Sequence, residues 1–227
     1  MVAAVRRLKD NALSLMFLIL FVLSVCGQAV AGLLDYNDRQ VAAGAEPVSL
    51  LDYVASSSFA VDVAENWQSE YLQFFLFIMV TVWLVQRGSP ESKEPGEEGA
   101  ESDEQQRIGR YAEAGSPAWA RARGLRLWVF SNSLGLVMGA IFLLSWLAQS
   151  VAGQAAYNAG RLGDLRDPVS WSAYVTSPEF WNRSLQNWQS ELLAVLSMVV
   201  LSIYLRQRGS PESKPVGAPH ASTGVEG

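Results

Sequence analysis

Histidine and cysteine are almost missing from this sequence: its 227 residues hold one of each, Cys26 and His220. A lone cysteine excludes an internal disulfide and any metal or redox centre built on several thiolates. His220 sits in a polar tail, so haem ligation or a histidine-based metal site has nothing to draw on. Charge is also scarce, at 17%, against roughly 25% in soluble domains. What charge there is falls in blocks between long apolar runs, the pattern of a membrane protein. The net charge of −5 comes largely from "EPGEEGAESDE", Glu94–Glu104, a solvated linker rather than a binding surface. There is no phosphate-binding glycine loop, nucleophile elbow or metal-spaced ligand set. These absences point to a non-enzymatic protein without a cofactor or metal, and nothing marks it as a partner of nucleic acid.

What the sequence does contain is a duplication. Shifted by 121 positions, Asn11–Lys93 aligns with Asn132–Lys214 without a gap, and about 34 of the 83 pairs are identical. "VAG" recurs at Val30–Gly32 and Val151–Gly153, Tyr36-Asn37 at Tyr157-Asn158, and "PVS" at Pro47 and Pro168. Tyr53, Phe59, "NWQSE" (Asn66–Glu70 and Asn187–Glu191) and "QRGSPESK" (Gln86–Lys93 and Gln207–Lys214) recur in register. Two copies are too few for a solenoid.

Each copy carries two apolar runs. Ala12–Gly32 and Ser133–Gly153 are about 21 residues long, and a bilayer crossing needs ~20. The second runs are shorter, so a crossing that ends at Arg87 must begin near Trp67. "SPEF" at Ser177–Phe180 reads as a helix start, with serine as N-cap and proline at the first position. The expectation is therefore one helix from about Ser57 to Arg87 and another from about Pro178 to Arg208. "VRRLK" followed by an apolar stretch and "AVAG" mimics a signal peptide. The same pattern recurs as "LLSWLAQSVAG" deep inside the chain, with Leu147 in place of Cys26, and this argues for a retained helix.

The expected fold is thus all-α: an integral membrane four-helix bundle of two tandem helical hairpins. Its parts would be a first hairpin (1–93), an acidic disordered linker (94–118), a second hairpin with an interfacial lead-in (119–214) and a disordered tail (215–227). Thirteen Lys and Arg residues fall in the N-terminal segment, linker and tail, against four in the loops inside the copies: Arg39, Arg161, Arg166 and Arg183. That asymmetry places both termini and the linker in the cytoplasm, with the two hairpins parallel in the cytoplasmic membrane.

Nearly the whole chain resembles a family of bacterial, largely actinobacterial, membrane proteins known only as a domain of unknown function. The resemblance rests on "NWQSE", "QRGSPESK" and the "VAG" helix ends in combination. It implies no activity and carries no catalytic residue over.

The repeated motifs have physical readings of their own. In "QRGSPESK" a basic residue at the inner interface (Arg87, Arg208), then Gly and Pro, make a helix stop with a snorkelling anchor. The motif is longer than a stop requires, which leaves room for a docking role. In "NWQSE", Trp67 and Trp188 suit the outer aromatic belt, while Asn66 and Glu70, like Asn187 and Glu191, share a helix face. Counting inward puts each glutamate ~4.5 Å below that belt. Gln28 and Gln149, in polar stripes with Ser24, Gly32, Ser145 and Gly153, match that depth. The expectation is a polar clamp of Glu70 with Gln28 and Glu191 with Gln149; a ligand site or pathway built from two clamps is the alternative. "GLVMG" at Gly135–Gly139 is a small-residue packing motif absent from the first copy. Trp119–Trp128 reads as a basic, aromatic stretch on the anionic inner leaflet. "YVASSSF" and "YVTSPEF" are expected to pack over the outer helix ends. The function expected is a scaffold, assembly or accessory subunit, partnered by lipid and by a second copy or a membrane complex. A small transporter or channel is the alternative, and a membrane enzyme would have only the two glutamates as acid or base.

Overall fold

The computed structural model describes residues 9–225. Arg6 and Arg7, counted above for the N-terminal side, lie outside them. Among the described residues the protein is all-helical, without a strand. Seven α-helices run in the order α1 (Ala12–Ala42), α2 (Leu50–Val54), α3 (Ser57–Val80), α4 (Leu125–Ser131), α5 (Ser133–Gly163), α6 (Trp171–Val175) and α7 (Pro178–Tyr204). Long, short, long is the order in both copies.

Some of the words shared by the copies mark helix starts. The serine of "PVS" caps the short helix each time: Ser49 Oγ accepts from the Asp52 amide and Ser170 Oγ from the Ala173 amide. Ser56 and Ser177 do the same for the next helix, accepting from the Phe59 and Phe180 amides, each at 3.3 Å. Such caps satisfy donors that a helix N-terminus leaves open.

Helix lengths differ from the sequence expectation at both kinds of end. α1 and α5 run on ten residues past their apolar stretches, to Ala42 and Gly163. α3 and α7 stop at Val80 and Tyr204, so Arg87 and Arg208 stand in the loops beyond and not at helix ends. At the first stop Thr81 Oγ1 donates to the Phe77 carbonyl at 2.7 Å, alongside the Thr81 amide at 3.1 Å. At the second, the Arg206 guanidinium covers the carbonyls of Ser202, Ile203 and Leu205, which the ended helix leaves without amide partners.

Two compact units divide the chain. One takes residues up to Val63 with Ala152–Pro168; the other takes Ala64–Val151 with Val169 onward. In the first, Tyr53 is buried against Gly32, where any Cβ would collide with its hydroxyl. This accounts for the glycine of "VAG". Tyr53 also packs on Tyr36 and Phe59, and Asn37 fastens the loop by exchanging two hydrogen bonds with the backbone of Val48.

In the second unit α3 and α7 run parallel to each other and antiparallel to α5. The glycines of "GLVMG" let α3 close in: a Cβ on Gly139 would meet Phe75 at 3.0 Å, and one on Gly135 would meet Met79 Sδ at 3.1 Å. Trp146 of α5 is the hub on the other side, with Phe180, Trp181 and Trp188 of α7 within 6.1 Å ring to ring. Tyr174 packs edge-on to Phe180 at 5.6 Å, much as Tyr53 does to Phe59 at 5.5 Å.

The linker, expected to be disordered, carries one short 3-10 turn, Gly109–Tyr111; a second, Ala118–Arg121, begins at its last residue, and no α-helix precedes α4 there. The tail has no helix, but it folds back: the Gly88 amide donates to Thr223 Oγ1 and the Gly224 amide to the Ser89 carbonyl.

Candidate functional site

"QRGSPESK" folds into the same small loop twice. In the first copy the Gln86 amide donates to Ser92 Oγ at 2.8 Å, and that hydroxyl donates to the Lys93 carbonyl at 2.9 Å. In the second, Gln207 donates to Ser213 Oγ at 2.9 Å and Ser213 to the Lys214 carbonyl at 3.1 Å. Ser89 and Ser210 each accept from the glutamate amide two residues on. Gly88 and Gly209 supply the positive φ, 87° and 81°. The motif exceeds a helix stop because its serines pair the loop's own backbone. Each loop leaves a groove beneath the helix end, about 430 Å³ and 380 Å³ in volume. Phe77, Val80, Leu84 and Ser92 line the first, and the residues 121 later (Met198, Leu201, Leu205 and Ser213) line the second.

The lysines that end the motif do different work. Lys93 pairs with Glu101 at 2.9 Å and donates to the Gly99 carbonyl. Lys214 is buried, and its ammonium donates to four carbonyls, those of Gly88, Pro219, His220 and Ser222, at 2.6–3.4 Å. Burial first, and the Arg206 charge second, hold its pKa below the ordinary lysine value.

"NWQSE" is less symmetrical. Ser69 and Ser190 each donate to the carbonyl three residues back, of Asn66 and Asn187, at 2.9 Å. Beyond that bond the copies part. Trp67 is exposed, whereas Trp188 turns inward, packs at a tilt against Trp146 and donates from Nε1 to Gln68 Oε1 at 2.7 Å. Asn66 is exposed and Asn187 half-buried, with its amide on the Arg183 carbonyl.

Gln149 does not meet Glu191. Its Nε2 lies 3.5 Å from Ser184 Oγ, which also accepts from Trp146 Nε1 at 3.4 Å. Ser184 precedes Glu191 by seven residues, ~10 Å along a helix, so the expected equality of depth fails by that amount. The sequence count had anchored Trp188 at an interface, and Trp188 packs inward instead. Gln28 falls in the first compact unit and Glu70 in the second.

Packing gives the glutamates a new level. With Gly139 opposite Phe75 and Gly135 opposite Met79, Glu70 falls opposite residue 144 of α5. With Ser184 opposite Gln149 and Trp188 opposite Trp146, Glu191 falls opposite residues 142–143. Both are level with the centre of the apolar run Ser133–Gly153 rather than its outer edge. Glu70 is exposed and Glu191 half-buried, and the two carboxylates act on each other electrostatically. Among the described residues neither has a hydrogen bond or an ion pair.

Further along α3 and α7 toward their starts, Glu65 and Arg183 form an ion pair at 2.6 Å. Gln68 lies inside "NWQSE" at a letter without an expected role; Glu65, Arg183, Trp146 and Ser184 lie outside the shared words altogether. Their signal lay in differences between the copies: Val25 against Trp146, Asp62 against Arg183, Val63 against Ser184. No group of His, Cys, Asp and Glu among the described residues forms a metal site.

Among the described residues two helices are long and apolar enough to cross a membrane, α1 and α5. α3 and α7 fall short because their first halves carry the polar words. A known family, Domain of unknown function (DUF6766), matches residues 4–225, and the chain belongs to it. No curated protein and no solved structure matches the chain.

Proposed function

From that membership, which assigns no activity, we propose that the chain is a non-enzymatic accessory or assembly subunit of the cytoplasmic membrane. It crosses four times as two tandem hairpins of the same orientation, with both termini and the linker inside. α1 and α5 support the crossing: α1 buries none of its 31 residues within the protein and displays leucine, phenylalanine and isoleucine on its surface. α3 and α7 cross over most of their length, with "NWQSE" near mid-depth and their C-terminal ends toward the inside. The basic asymmetry supports the orientation, and Trp119–Trp128 then lies along the anionic inner leaflet.

One observation carries the functional reading: Glu70 and Glu191 lie within electrostatic reach of each other, level with the middle of an apolar helix, and among the described residues no cation pairs with either. A carboxylate at that depth is costly in hydrocarbon unless it is paired or covered. Glu70 is exposed on the surface of the single chain, so what covers it comes from outside. A helix of another membrane subunit that presents Lys or Arg at mid-depth satisfies both carboxylates, and mutual repulsion of the pair makes that binding selective. The same pair favours a second reading, a small transporter or channel. In that reading the two glutamates, equivalent in the duplication, hold a cation or share a proton.

Purification from native membranes in mild detergent, followed by reconstitution, separates the two. The subunit reading expects a stoichiometric membrane partner that is lost from Glu70→Gln/Glu191→Gln. A chain that purifies alone and loses cation or proton flux in vesicles on the same substitution supports transport and overturns the subunit reading.

A further inference from the structure

Glu70 and Glu191 each head a stripe of residues along one helix face. On α3 the stripe continues through Gln73 and Phe77, three and seven residues on. On α7 it continues through Val195 and Met198, four and seven residues on. Those four residues line a hollow of about 180 Å³ walled by both helices. A larger hollow of about 430 Å³ adjoins it, sharing Gln73, Phe77 and Val195 and adding Val80 and Val199, so its walls are chiefly aliphatic and aromatic. At the foot stand Glu91 and Glu212, equivalent residues of the two "QRGSPESK" loops, and both line the smaller hollow. From Glu70 to Val80 the helix rises roughly 15 Å. The helices therefore frame an apolar slot with one carboxylate pair at its head and another at its foot.

We propose that this slot binds an amphiphilic organic cation, a quaternary or protonated amine on an apolar tail. The cation settles at Glu70 and Glu191, and the tail lies along Phe77, Val80 and Val195. The larger hollow alone falls within the roughly 300–1,000 Å³ usual for ligand pockets. Charge selects the sign of the ligand, because carboxylates at both ends repel a fatty acid or a lipid phosphate. The walls select its body. Mg²⁺ and Ca²⁺ take six or more oxygen ligands, and below the glutamates the slot offers mostly carbon. An ammonium entering from the foot is drawn by Glu91 and Glu212 and passes the face of Phe77, which attracts it in turn. The inference rests on the second reading above in one respect, that the pair holds a cation, and it requires no flux.

Equilibrium dialysis of octyltrimethylammonium against the full chain in a neutral detergent tests it, with proton and cation flux measured on the same protein in vesicles. Saturable binding is expected. The uncharged isostere with a tert-butyl head should bind about tenfold more weakly or worse, as should tetramethylammonium, which lacks the tail. Glu70→Gln/Glu191→Gln keeps the shape and should also cost about tenfold. Val195→Trp fills the slot with both carboxylates in place and should lose as much. The isostere comparison needs no variant, so a substitution that fails to fold leaves the test intact. Equal binding of the charged and uncharged forms would overturn the proposal, as would affinity unchanged in both variants. Saturable, charge-selective binding without flux upholds it and removes the transport reading. Flux that depends on the glutamates, without saturable binding, overturns it and leaves that reading standing.

Discussion

Gly88 and Gly209 hold the same place in the two copies of "QRGSPESK", and both have positive φ. Only Gly88 is covered. A Cβ there would lie 2.5 Å from the His220 carbonyl oxygen, whereas Gly209 has open space around it. The same division runs through the whole duplication. Identical words build identical local backbone in both copies, at the serine caps, the loops and the Tyr–Phe pairs. What each copy does with those parts depends on residues that differ. The shared words at the caps and loops record how the chain turns, and the residues that differ decide the setting in which each copy holds its site residues.

The largest effect should come from that glycine pair. Alanine at either position pays for positive φ, ~1–2 kcal/mol. Gly88→Ala must also push the tail away, an overpacking cost of a further ~1–3 kcal/mol. Thermal unfolding in detergent should show Gly88→Ala well below Gly209→Ala, and limited proteolysis should cut its tail faster. Equal losses would mean that the tail does not sit on the loop.

The next comparison is between lysines. Lys214→Met strands four carbonyls and should cost about 3 kcal/mol, since hydrogen bonds to a charged group contribute ~1.5–3 kcal/mol each but water reaches some of the freed groups. Lys93→Met loses a partly exposed pair and should cost under ~1 kcal/mol. Denaturant midpoints for the two variants check this, and a larger loss for Lys93→Met would reverse the assignment.

Making the second copy more like the first is a smaller perturbation. Ser184→Val supplies the residue of the equivalent position, Val63, and leaves the Trp146 indole N–H and Gln149 short of a partner, at ~1–3 kcal/mol. Val63→Ser should stay below that, because the first copy has no indole at Val25. A double-mutant cycle on Glu65 and Arg183 should give a coupling of roughly 1 kcal/mol. No coupling would mean that the pair is incidental.

Tyr53 should show the smallest effect. Burial, then the Asp62 charge, raises its pKa above 10.0. The folded state then holds the proton more tightly than the unfolded one. Its contribution is complete below about pH 10 and is lost as pH rises through the raised value. Phenolate absorbance should show a late-titrating component that disappears in Tyr53→Phe.

Some of this was legible in the sequence and some was not, for physical reasons. Ser177 and Pro178 announced a helix start because capping chemistry is local. The stop at Val80 was not visible, since Thr81 suits a helix as well as it suits a back-bond to Phe77. Glu191 was misplaced because a tryptophan in an apolar helix reads as an interface marker, and only Trp146 on another helix reveals that Trp188 points inward. Gln68 was beyond reach altogether: its counterpart Gln189 is exposed, so the identical letter carries opposite burial.

The central claim is that Glu70 and Glu191 share one level, at the middle of α5 and, in the proposed bilayer, at mid-depth. Spin labels at positions 70, 191 and 143, placed singly in a Cys26→Ser background in lipid vesicles, report depth through their relative accessibility to oxygen and to a polar nickel complex. The account predicts the same mid-bilayer depth at all three positions. Labels at 70 and 191 that instead match one at position 149, roughly 10 Å nearer the outer surface, would contradict it.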